Sequence, residues 1–423
     1  MIIQKALLIP TQFKRLNHFQ ISLLLRSALF GVLLVAVTSQ AQPAKGANKF
    51  CGNITTGGQI RSDFLKYWNQ ITGENESKWG SVEGTRDKMN WRGTDTIANF
   101  AKQNGIPWKF HTLIWGSQYP SWMNGLSQAD QLAEIEEWMD EAAKRYPDVT
   151  MIDVINEAYD THRPPPFKNA LGGNGATGFD WMVKAFQMAR QRWPKAVLIY
   201  NDYNTIEWSN EVNWQVKMAN AMKQAKAPMD AIGVQAHDAS RTSTATVKSN
   251  LDKLAATGYP IIVAEYDIGQ SDDAAQKRIM EDQFTMFWNH PKVIGITYWG
   301  YVVGRTWRNG TGLLNTNGSE RPALTWLVDF LKKNPNPPND FPRLINLQST
   351  GIIIQHAPYT PILEGAAMRG GLTPLKVFNL QGRMIGSVYV NNRTIPVWPM
   401  KLSPGSYVAK RDGHCGCVVN KVR

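Results

Sequence analysis

Ile152-Asp153-Val154-Ile155-Asn156-Glu157 is a short apolar run that stops on an amide and an acid. Its branched side chains are stiff at χ1 and suit a pleated, buried strand. Helical patterns flank it on both sides. Upstream, residues 127–146 space Leu132, Ile135, Trp138, Met139 and Ala142 along one face and end before Pro147. Downstream, residues 179–193 repeat the pattern and end at Pro194. An apolar strand between two helices is the unit of a parallel sheet covered on both faces. Working outward, similar runs fall at 50–54, 70–74, 108–113, 197–200, 231–235, 261–264 and 294–298. With the first, that is eight strands, each separated from the next by room for a helix. Eightfold strand–helix alternation predicts an α/β protein, a (β/α)8 TIM barrel, over residues 42–333.

The ends of the chain read differently. Of 423 residues, 46 are Lys or Arg and 34 are Asp or Glu, a net charge of +12. Residues 1–41 carry Lys5, Lys14, Arg15 and Arg26 with no acid, and residues 341–423 carry ten basic residues against Glu364 and Asp412. The barrel segment is therefore neutral. A nucleic-acid-binding protein would place its basic field on the folded domain, so no nucleic-acid partner is expected. Arg26, the apolar run from Ala28 to Val37 and the small residues Ser39-Gln40-Ala41 have the layout of a secretory signal peptide over 1–41. The apolar run is short for a membrane span, and an uncleaved anchor is the alternative reading. A secreted or cell-surface bacterial protein follows, with no membrane span after cleavage, and a monomer is expected. Cys51, Cys415 and Cys417 have neither disulfide-framework nor zinc spacing. Cys51 reads as a small buried residue at the start of the first strand. Asn334 to Asp340 is Pro/Asn-rich, which predicts a linker over 334–344. From 345 to 423 the pattern changes to short β-like stretches, Leu375 to Phe378, Gly386 to Val390 and Gly405 to Ala409, a small basic all-β module.

Two glutamates stand where a barrel keeps its reactive groups, at the carboxyl ends of strands. Glu157 closes the fourth run, and Glu265 follows Ile261-Ile262-Val263-Ala264 in the seventh. A charge at the end of an apolar strand costs desolvation energy and needs a partner or a task. A barrel-mouth salt bridge would account for either acid alone, but not readily for both with polar neighbours. Paired carboxyls of unlike pKa are what cleavage of a glycosidic bond requires, one protonated and one ionised. Retention of configuration further predicts that they stand about 5–5.5 Å apart.

Five strand-end stretches occur in order: Glu74-Asn75-Glu76-Ser77-Lys78-Trp79, His111-Thr112-Leu113-Ile114-Trp115, Asp153-Val154-Ile155-Asn156-Glu157, Gln235-Ala236-His237 and Glu265-Tyr266-Asp267-Ile268. Together they resemble the motifs of family-10 glycoside hydrolases, the xylanases of this barrel clan, over roughly residues 50–332. The resemblance implies a retaining endo-β-1,4-xylanase acting on xylan, with no cofactor and no metal. It implies Glu157 as acid/base and Glu265 as nucleophile, Asn156 as the partner of the sugar 2-hydroxyl, and His237 as the contact of the nucleophile, held by Asp267. Spacing agrees, since residues two apart on an extended segment share a side, as Glu265 and Asp267 do, and Gln235 and His237. Asn156 and Glu157 are adjacent, so a bulge or loop start is needed for both to face inward. Glu74, Asn75, Lys78, His111, Trp115 and Gln118 match glycone-side sugar contacts, and Trp299 and Trp307 match tryptophans that roof the cleft. Trp138, Trp181, Trp193, Trp214, Trp288 and Trp326 lie in helical patterns and read as core.

Departures from the family pattern are Ser77, Phe110, Gly116, Met151-Ile152 and the stretch Tyr301 to Trp307. None removes a charge the chemistry needs. The tail, with Val377 to Arg383 and Leu402 to Val408, resembles small sorting or attachment modules of secreted bacterial enzymes. Rival readings are a retaining β-glucanase of the same clan and an inactive polysaccharide-binding protein; the latter has no need for both carboxyls. A phosphate-handling barrel is disfavoured, because no Gly-rich loop follows the seventh or eighth strand.

Overall fold

The computed structural model describes residues 42–342, 344 and 345, together with the backbone of four later strands. The leader 1–41 lies outside the described residues. Strands β1 (Phe50–Ile54), β2 (Ile71–Thr72), β3 (Trp108–Trp115), β4 (Met151–Asn156), β5 (Val197–Asp202), β6 (Ala231–Val234), β7 (Ile261–Tyr266) and β8 (Val293–Tyr298) form a closed barrel in sequence order. All neighbours are parallel, and β8 returns to β1 with Phe50 opposite Gly295. Every residue of seven of these strands is buried, and in β3 only Trp115 is partly exposed. That is why the runs read as continuously apolar rather than alternating.

Strand ends differ from the apolar runs for identifiable reasons. β2 is two residues long, shorter than the 70–74 run, because only Ile71 and Thr72 pair with β1 on one side and β3 on the other. β3 and β7 continue past their apolar residues because Trp115 pairs with Asn156 and Tyr266 with Tyr298. Glu265 therefore lies inside a strand, not after it. The pattern of apolar residues cannot reveal this, since ladder pairing continues through polar ones.

Two apolar layers hold the fold. The larger lies between strands and helices and includes a stack of three tryptophans, Trp79 on Trp138 (5.6 Å, 5°) and Trp138 on Trp91 (5.4 Å, 4°). Of the helical tryptophans read as core, Trp138, Trp181, Trp193 and Trp288 are buried, while Trp214 and Trp326 are half-buried and pack against the core. Cys51 is buried within β1, and burial pushes its thiol pKa up. The smaller layer fills the barrel floor with Phe50, Met151, Val197, Ile199, Ala231, Ile262, Ala264 and Ile294. The Phe50 ring lies over Gly295, where any Cβ would come within 2.2 Å of it.

The segment from Asn334, linker-like in composition, is fastened beneath that floor. Asn48 donates to the Pro337 carbonyl at 2.8 Å, Asn339 donates to the Asn48 carbonyl at 2.6 Å, and Asp340 pairs with Lys292 at 2.9 Å. Phe341, Leu344 and Ile345 then pack on the floor residues. Asparagine amides replace the hydrogen bonds a regular partner would supply, so the composition of a loop serves as a strap. The C-terminal unit contains strands β9 (Thr373–Phe378), β10 (Met384–Val390), β11 (Gly405–Lys410) and β12 (Cys417–Lys421) in one antiparallel sheet of order β10-β9-β11-β12. Three of them coincide with the β-like stretches of the sequence. β12 falls where the sequence reading assigns nothing. Among the described residues, no helix is long and apolar enough to cross a membrane.

Candidate active site

The carboxyl ends of the strands bring the sequence-predicted residues together. Asn156 ends β4, paired with Trp115 of β3 and Asn201 of β5, and the ladder slips on both sides, between His111 and Ile114 and between Asp153 and Ile155. Glu157 then takes a left-handed backbone (φ +56°), uncommon for a residue with a Cβ. Its N–H donates to the Asn201 carbonyl and its carbonyl accepts from Arg163 N, both at 2.8 Å. These ties hold a conformation that on its own costs on the order of 1–3 kcal/mol. The turn directs both adjacent side chains to the site, as the sequence required. A second left-handed residue, Ala236 (φ +62°), lies between Gln235 and His237.

The Glu157 carboxyl accepts from Trp115 Nε1 (2.9 Å), Gln235 Nε2 (3.0 Å) and Asn156 Nδ2 (3.3 Å). Burial pushes its pKa up to about 7; the Gln235 and Trp115 donors oppose the rise, and the negative charges of Glu265 and Asp202 add to it. Glu265 is 4% exposed and meets the opposite balance. Burial alone would raise it, but cationic His111 and His237, with Lys109, outweigh burial and hold it at about 2. His111 is buried and its own pKa falls below the ordinary value, so at neutral pH the pull rests on His237 and Lys109. His237 Nε2 lies 3.3 Å from Glu265, and its Nδ1 lies 3.0 Å from Asp267, which also accepts from Trp307 Nε1 at 2.8 Å. Burial disfavours the imidazolium, yet Asp267 and Glu265 lift its pKa to about 10. Beneath His111, Lys109 and Asp153 form a buried ion pair at 2.8 Å, and His111 Nδ1 is 2.8 Å from the same Asp153 oxygen.

A cleft of about 550 Å³ lies over these groups. Glu74, Asn75, Lys78, His111, Trp115, Gln118, Gln235, Trp299 and Trp307 all border it, as do Glu157, Glu265 and His237; Asn156 and Asp267 are buried and meet it through their hydrogen bonds to Glu157 and Trp307. Lys78 donates to Asn75 (2.9 Å) and Gln118 (2.7 Å) and sits 4.9 Å above the Trp115 ring. Burial lowers the Lys78 pKa and raises that of Glu74. The tryptophans differ in exposure: Trp299 is buried edge-on against His111, whereas Trp307 is 50% exposed with its ring 4.6 Å from His237. Two departures from the family pattern have local reasons. Ser77 Oγ donates to the His111 carbonyl at 2.8 Å. At Gly116 a Cβ would meet the Arg163 carbonyl at 2.3 Å, so only glycine lets that loop pass.

Sequence reasoning missed the end of β5. Asn201 is fully buried and donates to both Glu265 (2.7 Å) and Asn156 (3.0 Å), bridging the two strand ends. Tyr203, Asn204 and Arg308 also border the cleft. The signal was present in Tyr200-Asn201-Asp202-Tyr203-Asn204, a polar strand end of the same kind as the others. Among the described residues, acids with metal-ligand spacing are Glu83, Asp87 and Glu134. None borders the cleft, and Glu83 and Glu134 already hold Trp79 and Arg86.

A closed parallel barrel with two strand-end carboxyls of opposed pKa under one polar, tryptophan-edged cleft defines a barrel glycoside hydrolase. The chain belongs to glycosyl hydrolase family 10, whose family profile matches residues 38–330. It is 49% identical over 284 residues to endo-1,4-beta-xylanase B of Cellvibrio japonicus, a match covering 67% of this chain and 46% of that one. Endo-1,4-beta-xylanase 3 of Hypocrea jecorina is 31% identical over 273 residues, covering 62% and 75%. Among solved structures, xylanase 10B from Thermotoga petrophila in complex with xylobiose has a TM-score of 0.61 at 26% identity, covering 70% of this chain and 98% of that one.

Proposed function

We propose that the protein is a secreted retaining endo-β-1,4-xylanase that hydrolyses xylan by double displacement. One observation carries the reading: two carboxyls over one cleft, of which Glu157 is raised to about 7 and Glu265 held at about 2. At pH 5 the first keeps its proton and the second is ionised, the division of labour that the reaction needs. Glu265 attacks the anomeric carbon; the C1–O bond breaks, and the Glu157 proton goes to the departing oxygen. The ester formed removes the Glu265 charge, one of the influences holding the Glu157 proton, so the Glu157 pKa falls and the group stands ionised, free to accept a proton. It then takes a proton from water as the water displaces the ester and restores the anomer. Asn201 and His237 hold Glu265, and Asp267 holds His237. The cleft residues from Glu74 to Gln118 would bind the glycone sugars. Family membership and the names of the relatives support xylan as the substrate. The leader 1–41 is proposed as a signal peptide and the C-terminal sheet as part of an attachment module.

The deciding test is hydrolysis of xylan beside carboxymethylcellulose, with NMR of the first product anomer. The expected outcome is β-configured xylo-oligosaccharides and little action on the cellulose derivative. A first-formed α anomer would overturn retention, and preference for the cellulose derivative would favour a β-glucanase. The carboxyl environments also set a pH profile. Activity requires ionised Glu265 and protonated Glu157, so kcat/KM on xylo-oligosaccharides should fall as pH drops through about 2 and as it rises through about 7. An alkaline limb at the ordinary carboxylate pKa would contradict the buried-acid assignment.

A further inference from the structure

Beside Glu157, the chain buries a charged cluster, of which the proposed chemistry draws only on the Asp202 charge. His162 Nδ1 lies 2.6 Å from Asp202 Oδ1, and its Nε2 lies 3.0 Å from Glu211 Oε2. The side chains of His162, Asp202 and Glu211 are no more than 4% exposed. A neutral imidazole has one N–H and one lone pair, and a lone pair facing a carboxylate oxygen is repelled. A carboxylate at each nitrogen therefore favours the imidazolium. Burial opposes that charge, but Asp202 and Glu211 more than compensate and lift the pKa to about 9. The other Asp202 oxygen accepts from Tyr200 OH (2.5 Å) and from Tyr159 N (3.2 Å).

The ring has a second use. It lies flat on Tyr203, with centroids 3.6 Å apart and planes at 16°, while Tyr159 packs edge-on at 5.0 Å. Tyr203 borders the cleft; burial raises its phenol pKa, and the charge of nearby Glu157 adds to the rise. Buried charged clusters seldom stabilise a fold better than apolar side chains of the same volume. What they can supply is a fixed geometry. Here the fixed object is the ring under one wall of the cleft.

We propose that the His162 imidazolium, clamped between Asp202 and Glu211, is a positioning residue that fixes the Tyr203 ring as the wall against which the departing half of the xylan chain rests. The assignment of sides follows from the proposed acid role of Glu157 and from Glu74, Asn75 and Lys78 holding the other half. His162 itself touches no substrate. It acts through Tyr203 and ties the loop after β4 to the strand end of β5.

The test uses the full chain with His162→Gln and, separately, Glu211→Gln, which keeps the ring but loosens one side of the clamp. With xylohexaose as substrate, His162→Gln should raise KM about five- to tenfold with kcat changed far less, and shift the cleaved bond toward fewer units on the departing side. Glu211→Gln should move both readouts the same way by a smaller factor. ¹⁵N NMR of the parent imidazole should show both ring nitrogens protonated at pH 7. Unchanged KM and cleavage frame in Glu211→Gln, a loss confined to kcat, or a neutral His162 ring would each overturn the proposal. If His162→Gln fails to fold, Glu211→Gln and the NMR signal decide. The cleavage frame is read from products whichever group delivers the proton, so failure here leaves the acid role of Glu157 standing.

Discussion

Glu265→Ala is expected to remove turnover of every substrate, aryl glycosides included, by roughly 10⁴-fold or more, the scale on which losing a covalent nucleophile acts. The reason is that no leaving group, however good, replaces the bond the carboxylate must form. Neighbours cannot substitute: Asn201 is an amide, and His237 is an imidazolium held by Asp267 with no lone pair to offer. The fold should survive, because His237 keeps Asp267 and Asn201 keeps Asn156 as partners. An unchanged thermal midpoint would show that the loss is chemical. Azide, small enough for the vacated space, would attack the same carbon face and restore cleavage of an activated aryl xylobioside. Having no second displacement, it should leave an α-glycosyl azide. Residual activity above about 1% of the parent without azide would mean that another group is the nucleophile.

Both carboxyls were legible in the sequence because each closes an apolar run, and in a parallel barrel all such ends meet on one face. Glu74, Lys78, His111 and Gln235 were legible through the family resemblance of the stretches that contain them, not through their position alone. Asn201 and Asp202 occupy an equivalent position and escaped, since an amide and an acid after a strand carry no weight until their partners are known. The partners of Asp202, at His162 and Tyr200, depend on how the loop after β4 folds back over β5. Periodicity contains no information about that. Nor does it contain the left-handed turn at Glu157, which only the need for two adjacent inward side chains foretold. The segment from Asn334 reads as a linker because Pro and Asn are turn-forming by composition. Whether such a stretch swings free or binds is decided by acceptors elsewhere, here Asn48, Pro291 and the barrel floor.

Glu157→Ala should separate substrates by their leaving groups. On xylan the departing oxygen is a poor leaving group, and removing its proton donor should cost roughly 10²–10⁴-fold, the usual worth of general acid catalysis. An aryl xylobioside with a dinitrophenolate leaving group needs little protonation, so its first step should be nearly untouched. Its second step still lacks a base, and the glycosyl-enzyme should accumulate, seen as a burst of phenolate followed by a slow steady rate. Azide should speed that slow phase and yield a β-glycosyl azide, the opposite anomer to the Glu265→Ala product. The pH profile gives an independent signature. The alkaline limb expected near 7 is assigned to Glu157, whose pKa is raised by burial and by the Glu265 and Asp202 charges, and it should vanish in the alanine variant. Trp115 would lose its acceptor and Gln235 would keep only its long bond to Asn156, so some loss of order in the cleft is expected, but it would weigh on both substrates alike. Equal losses on xylan and on the activated aryl substrate, with the alkaline limb still in place, would assign the proton to another residue.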